Sequence, residues 1–384
     1  MSRRIPYDWR RQLVLMALLS ILSISSFAQD PSFSQFYANR VYLNPAFVGL
    51  ESGLTVTGAA RMQWLRVDRG FRTYGLTVET QLPVVRLGLG LHLLRDEEGI
   101  GNLITNQAGF ALSYTIPGKK DNIHFGFEGK IVQKNIDWDR LLFSDQLDPV
   151  YGVVQPTSMV PVLDRVMYGD LDFGIIWRHE GDLKMSGRSM RKVRSHVGLS
   201  FHHLPYLLSS SARGNDSFLN LDTRIAPRTT LHGGMIIPIT FLTGTGMDIA
   251  FSPNIKLDMQ GYKFMSVNEN LMVGTLGFYT LVNSFYMGLL YQNRIYAPNH
   301  FHTDAFIITF GGYTNTDKRS GGQQPSFFFG VSADLNATGL GPAAGSVFEL
   351  TFRYRFMQDM SIGGGGRNGR NGSKNRILDC KSFF

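Results

Sequence analysis

The stretch SVFELTFRYRF (346–356) alternates from Phe348 to its end. Phe348, Leu350, Phe352, Tyr354 and Phe356 fall on one side of an extended chain, and Glu349, Thr351, Arg353 and Arg355 fall on the other. Side chains of a strand point to opposite faces in turn, so this is a strand with one apolar face and one charged face. The same reading applies backwards along the chain to LTVTGAARMQWL (54–65), FRTYGLTVETQL (71–82), RLGLGLHLL (86–94), NQAGFALSYTI (106–116) and IHFGFEGKIV (123–132). It applies again to LDFGIIWR (171–178), VRSHVGLSFH (193–202), TTLHGGMIIPI (229–239), MDIAFSPNIKL (247–257) and LMVGTLGFYTL (271–281). SFYMGLLYQNR (284–294), DAFIITFGGY (304–313) and SFFFGVSADLN (326–336) complete a set of fourteen.

Two architectures use such strands. In a secreted sandwich the polar face meets water and the apolar face meets a second sheet. In a membrane barrel the apolar face meets lipid and the polar face lines the lumen. The strands run to about 10–12 residues, against about 5–6 in ordinary sheets, which favours the barrel. So does the spread of connectors, from the tight Leu82–Arg86 to the long Leu141–Gly169. Abundant glycine, 42 residues, and 28 Phe with 15 Tyr suit coiled strands and interfacial girdles. The expected fold is all-β: a transmembrane antiparallel barrel of about fourteen strands.

The ends of the chain fit export. Arg3, Arg4, Arg10 and Arg11 precede an apolar run from Leu13 to Ile24, and Ser26-Phe27-Ala28 offers small residues for cleavage before Gln29. Residues 1–28 therefore read as a signal peptide, 29–50 as a non-alternating segment, 51–357 as the barrel, and 358–384 as a tail. The tail contains GGGGRNGRNGSKNR (363–376), a flexible tether in composition. The net charge of +8 is spread along the chain, so no nucleic-acid surface is expected. The single Cys380 excludes an internal disulfide framework and a Cys-based zinc site.

The segment DPSFSQFYANRVYLNPAFVG (30–49) carries Asp30-Pro31, Phe33-Ser34-Gln35-Phe36-Tyr37, Asn39, Asn44-Pro45-Ala46 and Gly49. It resembles the N-terminal signature of the PorP/SprF family, outer-membrane proteins tied to type IX secretion and gliding motility in Bacteroidota. RMQWLRVDRGFRTYGLTVETQLP, LGLGLHLLRDEEG, HVGLSFHHL and the ending KNRILDCKSFF are similar to further family motifs, so the resemblance spans nearly all of the chain after the leader. Arg40 departs from it, where the family more often has Pro. The resemblance implies an outer-membrane component that supports export or surface attachment of secreted proteins such as adhesins. Its implied partners are other outer-membrane and periplasmic components of the machine, the C-terminal domains of secreted adhesins, and outer-membrane lipid.

The residues themselves allow two roles for the segment. Phe33, Phe36, Tyr37, Tyr42 and Phe47 could pack as a plug or strap inside the barrel mouth, or Phe33, Gln35, Phe36, Tyr37, Asn39, Asn44 and Pro45 could form a docking surface. In the tail, Ile377, Leu378, Asp379 and Cys380 read as a short hook on the tether, which an even strand count places in the periplasm. RDEEG (95–99) reads as a solvated turn rather than a calcium loop, and His124, His196, His202, His203 and His232 as lumen or interface residues. Ser200 and His202 share a strand face with His196, but no acid or oxyanion element can be assigned to them from the sequence. No catalytic residue, metal or cofactor is expected. A diffusion porin, a soluble secreted sandwich and an outer-membrane hydrolase stay open as alternatives.

Overall fold

The computed structural model describes residues 30–51, 53–67, 69–99, 102–148, 150–158, 163–184, 190–205, 217–218, 225–239, 248–261, 271–297, 300–315, 325–337 and 345–356. The expected signal peptide and the tail with Ile377, Leu378, Asp379 and Cys380 lie outside the described residues.

Fourteen strands follow one another around a closed ring. They are β1 (Leu54–Gln63), β2 (Phe71–Leu82), β3 (Leu87–Glu98), β4 (Leu103–Pro117), β5 (Asp121–Asn135), β6 (Arg165–Lys184) and β7 (Met190–His202). The second half is β8 (Arg228–Pro238), β9 (Ile249–Gln260), β10 (Leu271–Val282), β11 (Phe285–Ala297), β12 (His300–Asn315), β13 (Pro325–Asn336) and β14 (Val347–Phe356). Every strand pairs antiparallel with its neighbours in sequence, and the ring closes where Leu54 of β1 meets Phe356 of β14. Closure leaves the sheet without an edge along its main height, as a membrane-spanning sheet requires.

The alternation decides which face is which. On β14, Phe348, Leu350, Phe352, Tyr354 and Phe356 are outward and exposed, while Glu349, Thr351, Arg353 and Arg355 are buried inside. Leu350 is 53% exposed beside Glu349 at 2%. The same inversion of the soluble rule runs round the ring, with Leu91, Phe110, Phe127, Leu231, Leu276, Leu289, Phe310 and Val331 all outside. A continuous exposed apolar band of this kind fits a lipid solvent and excludes the sandwich.

The strands reach further than their apolar alternation. RDEEG is no turn: Arg95–Glu98 completes β3, because the inward parity of His92 and Leu94 continues to Asp96, whose carboxylate accepts from Thr73 Oγ1 at 2.6 Å. The connector placed at 141–169 is shorter, because β6 begins at Arg165 opposite Asn135 of β5. One end of the barrel, the turn end, carries the connections 83–86, 118–120 and 283–284, together with the start of β1 and the finish of β14. The opposite, loop end carries 136–164 and 203–227. The first of these loops holds two short 3-10 turns, a two-residue ladder joining Leu147 to Val153, and Trp138 stacked on Phe143.

Candidate functional site

Residues 30–51 run through the lumen from the loop end to the turn end. Asp30 lies beside Gln260, His203 and Arg228, all at the loop end, and Glu51 lies beside Arg355 at the turn end. Local sequence sets the path. Arg40–Leu43 forms one helical turn and Pro45–Phe47 one 3-10 turn. Asn44 between them is extended, as a residue before proline must be, and its side chain caps the second turn by accepting from Ala46 N at 2.9 Å. Proline at the first position of that turn loses no hydrogen bond.

The wall is shaped to admit this backbone. A Cβ at Gly126 of β5 would collide with the backbone of Pro45 and Ala46, and one at Gly174 of β6 would collide with Asn44. The Asn44 amide donates to Ile175 O at 3.3 Å and Leu199 O at 3.2 Å, and lies 3.1 Å from His232 Nε2. One wholly buried side chain thus ties the segment to β6, β7 and β8. Phe36, Tyr37, Leu43 and Phe47 pack in the main apolar cluster with Tyr279, Tyr286, Ile307 and Phe328 of the inner wall. Burying side chains of this size contributes about 1.5–3 kcal/mol each. The Tyr37 hydroxyl donates to Gly233 O at 2.8 Å.

Among the described residues, three charge clusters hold the segment, one at the turn end and two in the loop-side half. At the turn end the Glu51 carboxylate meets Arg40 at 2.8 Å, Arg355, and Arg353 at 3.8 Å. Glu79 accepts from Gly49 N at 2.7 Å and from Arg40 at 3.5 Å. On the β1, β13 and β14 side, Arg61 pairs with Asp334 at 3.1 Å and Glu349 at 3.2 Å. Glu349 accepts from Ser34 N at 2.7 Å and Gln35 N at 3.0 Å, and Asp334 accepts from Ser34 Oγ at 2.6 Å. At the loop end His203 sets Nε2 2.9 Å from Asp30 and Nδ1 2.7 Å from Asp170. Both ring nitrogens face carboxylates, which suits the doubly protonated imidazolium. Arg228 meets Asp30 at 3.0 Å, and Lys130 meets Asp170 at 3.2 Å and Asp172 at 2.7 Å. Buried charges in such numbers are tolerable only because each cluster pairs them.

Phe33, Gln35, Phe36, Tyr37, Asn39, Asn44 and Pro45 are therefore all together and all buried in the lumen. All seven are nearly wholly covered, with Phe33, Phe36 and Asn39 at the floor of a loop-end cavity. His124, His196, His202, His203 and His232 are likewise buried. The acid that the sequence left unassigned is Asp172: its Oδ2 lies 2.8 Å from His202 Nδ1, and His202 Nε2 lies 3.1 Å from Ser200 Oγ. Those are the distances of a catalytic triad. Yet Ser200 is wholly buried and its hydroxyl donates to Leu43 O at 2.8 Å, so the trio anchors the segment. Arg40, noted only as a departure from the family pattern, bridges two acids of the turn-end cluster. Its signal was an Arg in the middle of an aromatic segment, a charge that demands buried acids. Among the described residues, no three His, Cys, Asp or Glu side chains converge as a metal site.

Two spaces flank the segment. A cavity of about 680 Å³ opens over Asp30, Phe33 and Tyr42 towards the loop end, rimmed by Trp64, Glu98, Gln260 and Arg294. A void of about 30 Å³ lies near the turn end between Phe47, Leu50, Arg178 and His196.

Comparison with known proteins gives a family. The family described as type IX secretion system membrane protein PorP/SprF matches residues 25–354. No curated protein matches. Among solved structures the chain is similar to CdiB from Acinetobacter baumannii at 9% identity and a TM-score of 0.39, covering 79% of this chain and 60% of that one. The chain thus spans less than two thirds of CdiB. It is similar to a FadL homologue of Pseudomonas aeruginosa at 11% identity and 0.35, covering 83% and 94%. The P. putida toluene transporter TodX stands at 10% and 0.38, covering 82% and 93%. The closed barrel and the family together place the chain in the outer membrane.

Proposed function

We propose that this chain, which belongs to the PorP/SprF family of type IX secretion system membrane proteins, supports secretion by presenting its two ends to other components rather than by conducting cargo. The observation that carries this reading is the lumen: residues 30–51 occupy it from end to end and are clamped by buried ion pairs on opposite walls. The turn end faces the periplasm in this reading, since short turns belong there and long loops belong outside. Other secretion components and the C-terminal domains of secreted adhesins are its partners. The docking role of Phe33, Gln35 and their neighbours is then indirect: they hold the loop-end cavity in shape. Ile377, Leu378, Asp379 and Cys380 act as the periplasmic hook.

The test is a crosslinked pull-down of the tagged protein from detergent-solubilised outer membrane, with and without residues 363–384, beside conductance in planar bilayers. Recovery of secretion components or a large adhesin, with negligible conductance, is the expected result. Clear conductance with no specific partner would establish a diffusion porin instead.

A further inference from the structure

The loop-end cavity of about 680 Å³ has the size of a site for a small molecule or a short peptide. Its charges do not cancel. Each of the four cations in its lining, Arg61, Arg228, Lys256 and Arg294, pairs with an acid of the same lining, at 3.1, 3.0, 2.8 and 3.8 Å. Two acids of the lining are left over, Asp96 and Glu98, which share the inward parity of β3. Among the described residues neither joins an ion pair: Arg95 pairs with Glu97 at 2.7 Å, and Lys134 acts on Glu98 from outside the lining. The two carboxyls instead hydrogen-bond each other, which takes one proton between them. Asp96, 4% exposed, also accepts from Thr73 Oγ1 at 2.6 Å.

The floor carries an independent sign of a ligand. Asn39 is 4% exposed and lines the same cavity, yet its amide nitrogen has no hydrogen-bond partner and its side chain caps no turn. A buried amide in that state is destabilising until a polar group is brought to it. The adjoining wall is aromatic. Trp64, just past β1, stands at φ 58°, a conformation costly for a bulky residue, and its ring meets Phe71 edge-on at 5.0 Å. Phe71 and Thr73 share the inward parity of β2, and Thr73 stands opposite Asp96 in the ladder. The wall of β1, β2 and β3 thus brings two rings and two carboxyls to one side of the cavity. Ring faces and carboxylates are the groups that hold an organic cation.

We propose that this cavity binds an organic cation, a guanidinium or a primary ammonium, between Asp96 and Glu98 and the rings of Trp64 and Phe71, and that the cation is an arginine or lysine side chain of a partner polypeptide. The cation takes the place of the proton that the two carboxyls share, and the Asn39 amide meets a backbone group of the same segment. A bare metal ion is a poorer occupant, because among the described residues no third His, Cys, Asp or Glu converges with the two carboxyls. The polypeptide source rests on the reading that the loop end meets other components of secretion; the cation site does not.

The experiment uses the full-length protein in detergent micelles. The probe is a labelled five-residue peptide of Gly and Ser with Arg at its centre, read by fluorescence anisotropy; its twin carries neutral citrulline in place of Arg. Agmatine, a free guanidinium, is titrated separately by calorimetry. Saturable binding of the Arg peptide is expected, weakening as salt is added, and at least about tenfold weaker for the citrulline twin and for the D96N/E98Q protein. The substituted amides keep the shape of the wall and an acceptor for Thr73, and the heat-modified gel shift reports that the barrel is folded. E98Q alone, at the end of β3, is the second variant, with binding about threefold weaker. Equal binding of the citrulline twin would overturn the cation, and equal binding by both variants would overturn the site. Saturation by agmatine with no binding of the peptide would overturn the polypeptide source and leave the cation site standing. No binding of either would overturn the whole proposal. The pull-down described above can fail while agmatine still binds, so the two readings fail separately.

Discussion

The two halves of the lumen hold the same segment by different means. In the turn-side half the backbone of Asn44–Gly49 sits directly against the wall, over positions that only glycine can occupy, and a void of about 30 Å³ lies beside it. In the loop-side half Asp30–Gln35 is held by side chains reaching from the wall, and a cavity of about 680 Å³ remains above it. The first half adds close backbone contact to its ion pairs, whereas the second is held by charge and side-chain hydrogen bonds. The difference follows from what spans the gap: backbone against a glycine-lined wall lies close, whereas side chains reaching across leave a cavity.

The largest expected effect comes from removing the anion on which the turn-side arginines depend. Glu51→Gln leaves Arg40 and Arg355 facing a neutral amide, and breaking a buried ion pair in this way costs about 3–5 kcal/mol. Urea unfolding in micelles, followed by tryptophan fluorescence, measures it; an unchanged midpoint would mean that the cluster is solvated. Next, Gly126→Val puts a side chain where Pro45 and Ala46 pass. Overpacking of about 1–3 kcal/mol is expected, together with conductance in planar bilayers above that of the parent protein. A variant that stays both stable and closed would show that the seal does not depend on this contact.

Ser200→Ala is a smaller perturbation, about 1–2 kcal/mol, because it leaves the Leu43 carbonyl without its donor. The loss should appear in the same unfolding assay, and an ester substrate should show no turnover by either protein. Turnover by the parent that the variant lacks would instead make the Ser200, His202 and Asp172 trio catalytic.

The smallest effect lies outside the barrel, in the loop 136–164. Backbone and side-chain hydrogen bonds from Ser158, at 2.6 and 2.8 Å, hold the Asp145 carboxyl below its usual range, with Thr157 adding to them. A depressed carboxyl contributes order that is fully present above its unfolded value, about 3.9, and is lost as pH falls through the lower folded value. Hydrogen exchange in residues 141–158 should therefore gain amplitude below about pH 4 while the strands stay protected. Equal protection of the loop at pH 6 and pH 3 would remove Asp145 from this role.

The strands were legible because their period of two is written in every one of them, and all fourteen segments are strands in the structure. Their ends were not, because at Arg95–Glu98 the outward residues turn polar and at Arg165–Gly169 the inward Val166 is apolar, so the alternation fades. The 30–49 segment stood out because it does not alternate. What it touches was illegible: Ser34 meets Glu349 only because the ring closes with Arg61 of β1 opposite Glu349 of β14. Asp172 was hidden for the same reason, since it reaches His202 only once the register of β6 and β7 is set.

The path of residues 30–51 also constrains the order of assembly. A ring with a thread through it can be made by passing the thread through a finished ring or by closing the ring around the thread. The first route would drag Arg40 and the aromatic side chains along the whole lined bore. The second needs only the β1 and β14 seam to shut last. The contacts sit where that route needs them: Glu51, just ahead of β1, already reaches Arg353 and Arg355 of β14, and Ser34 and Gln35 reach Glu349 on the same strand. The segment that fills the barrel is thus also a guide that brings its first and last strands to the same place.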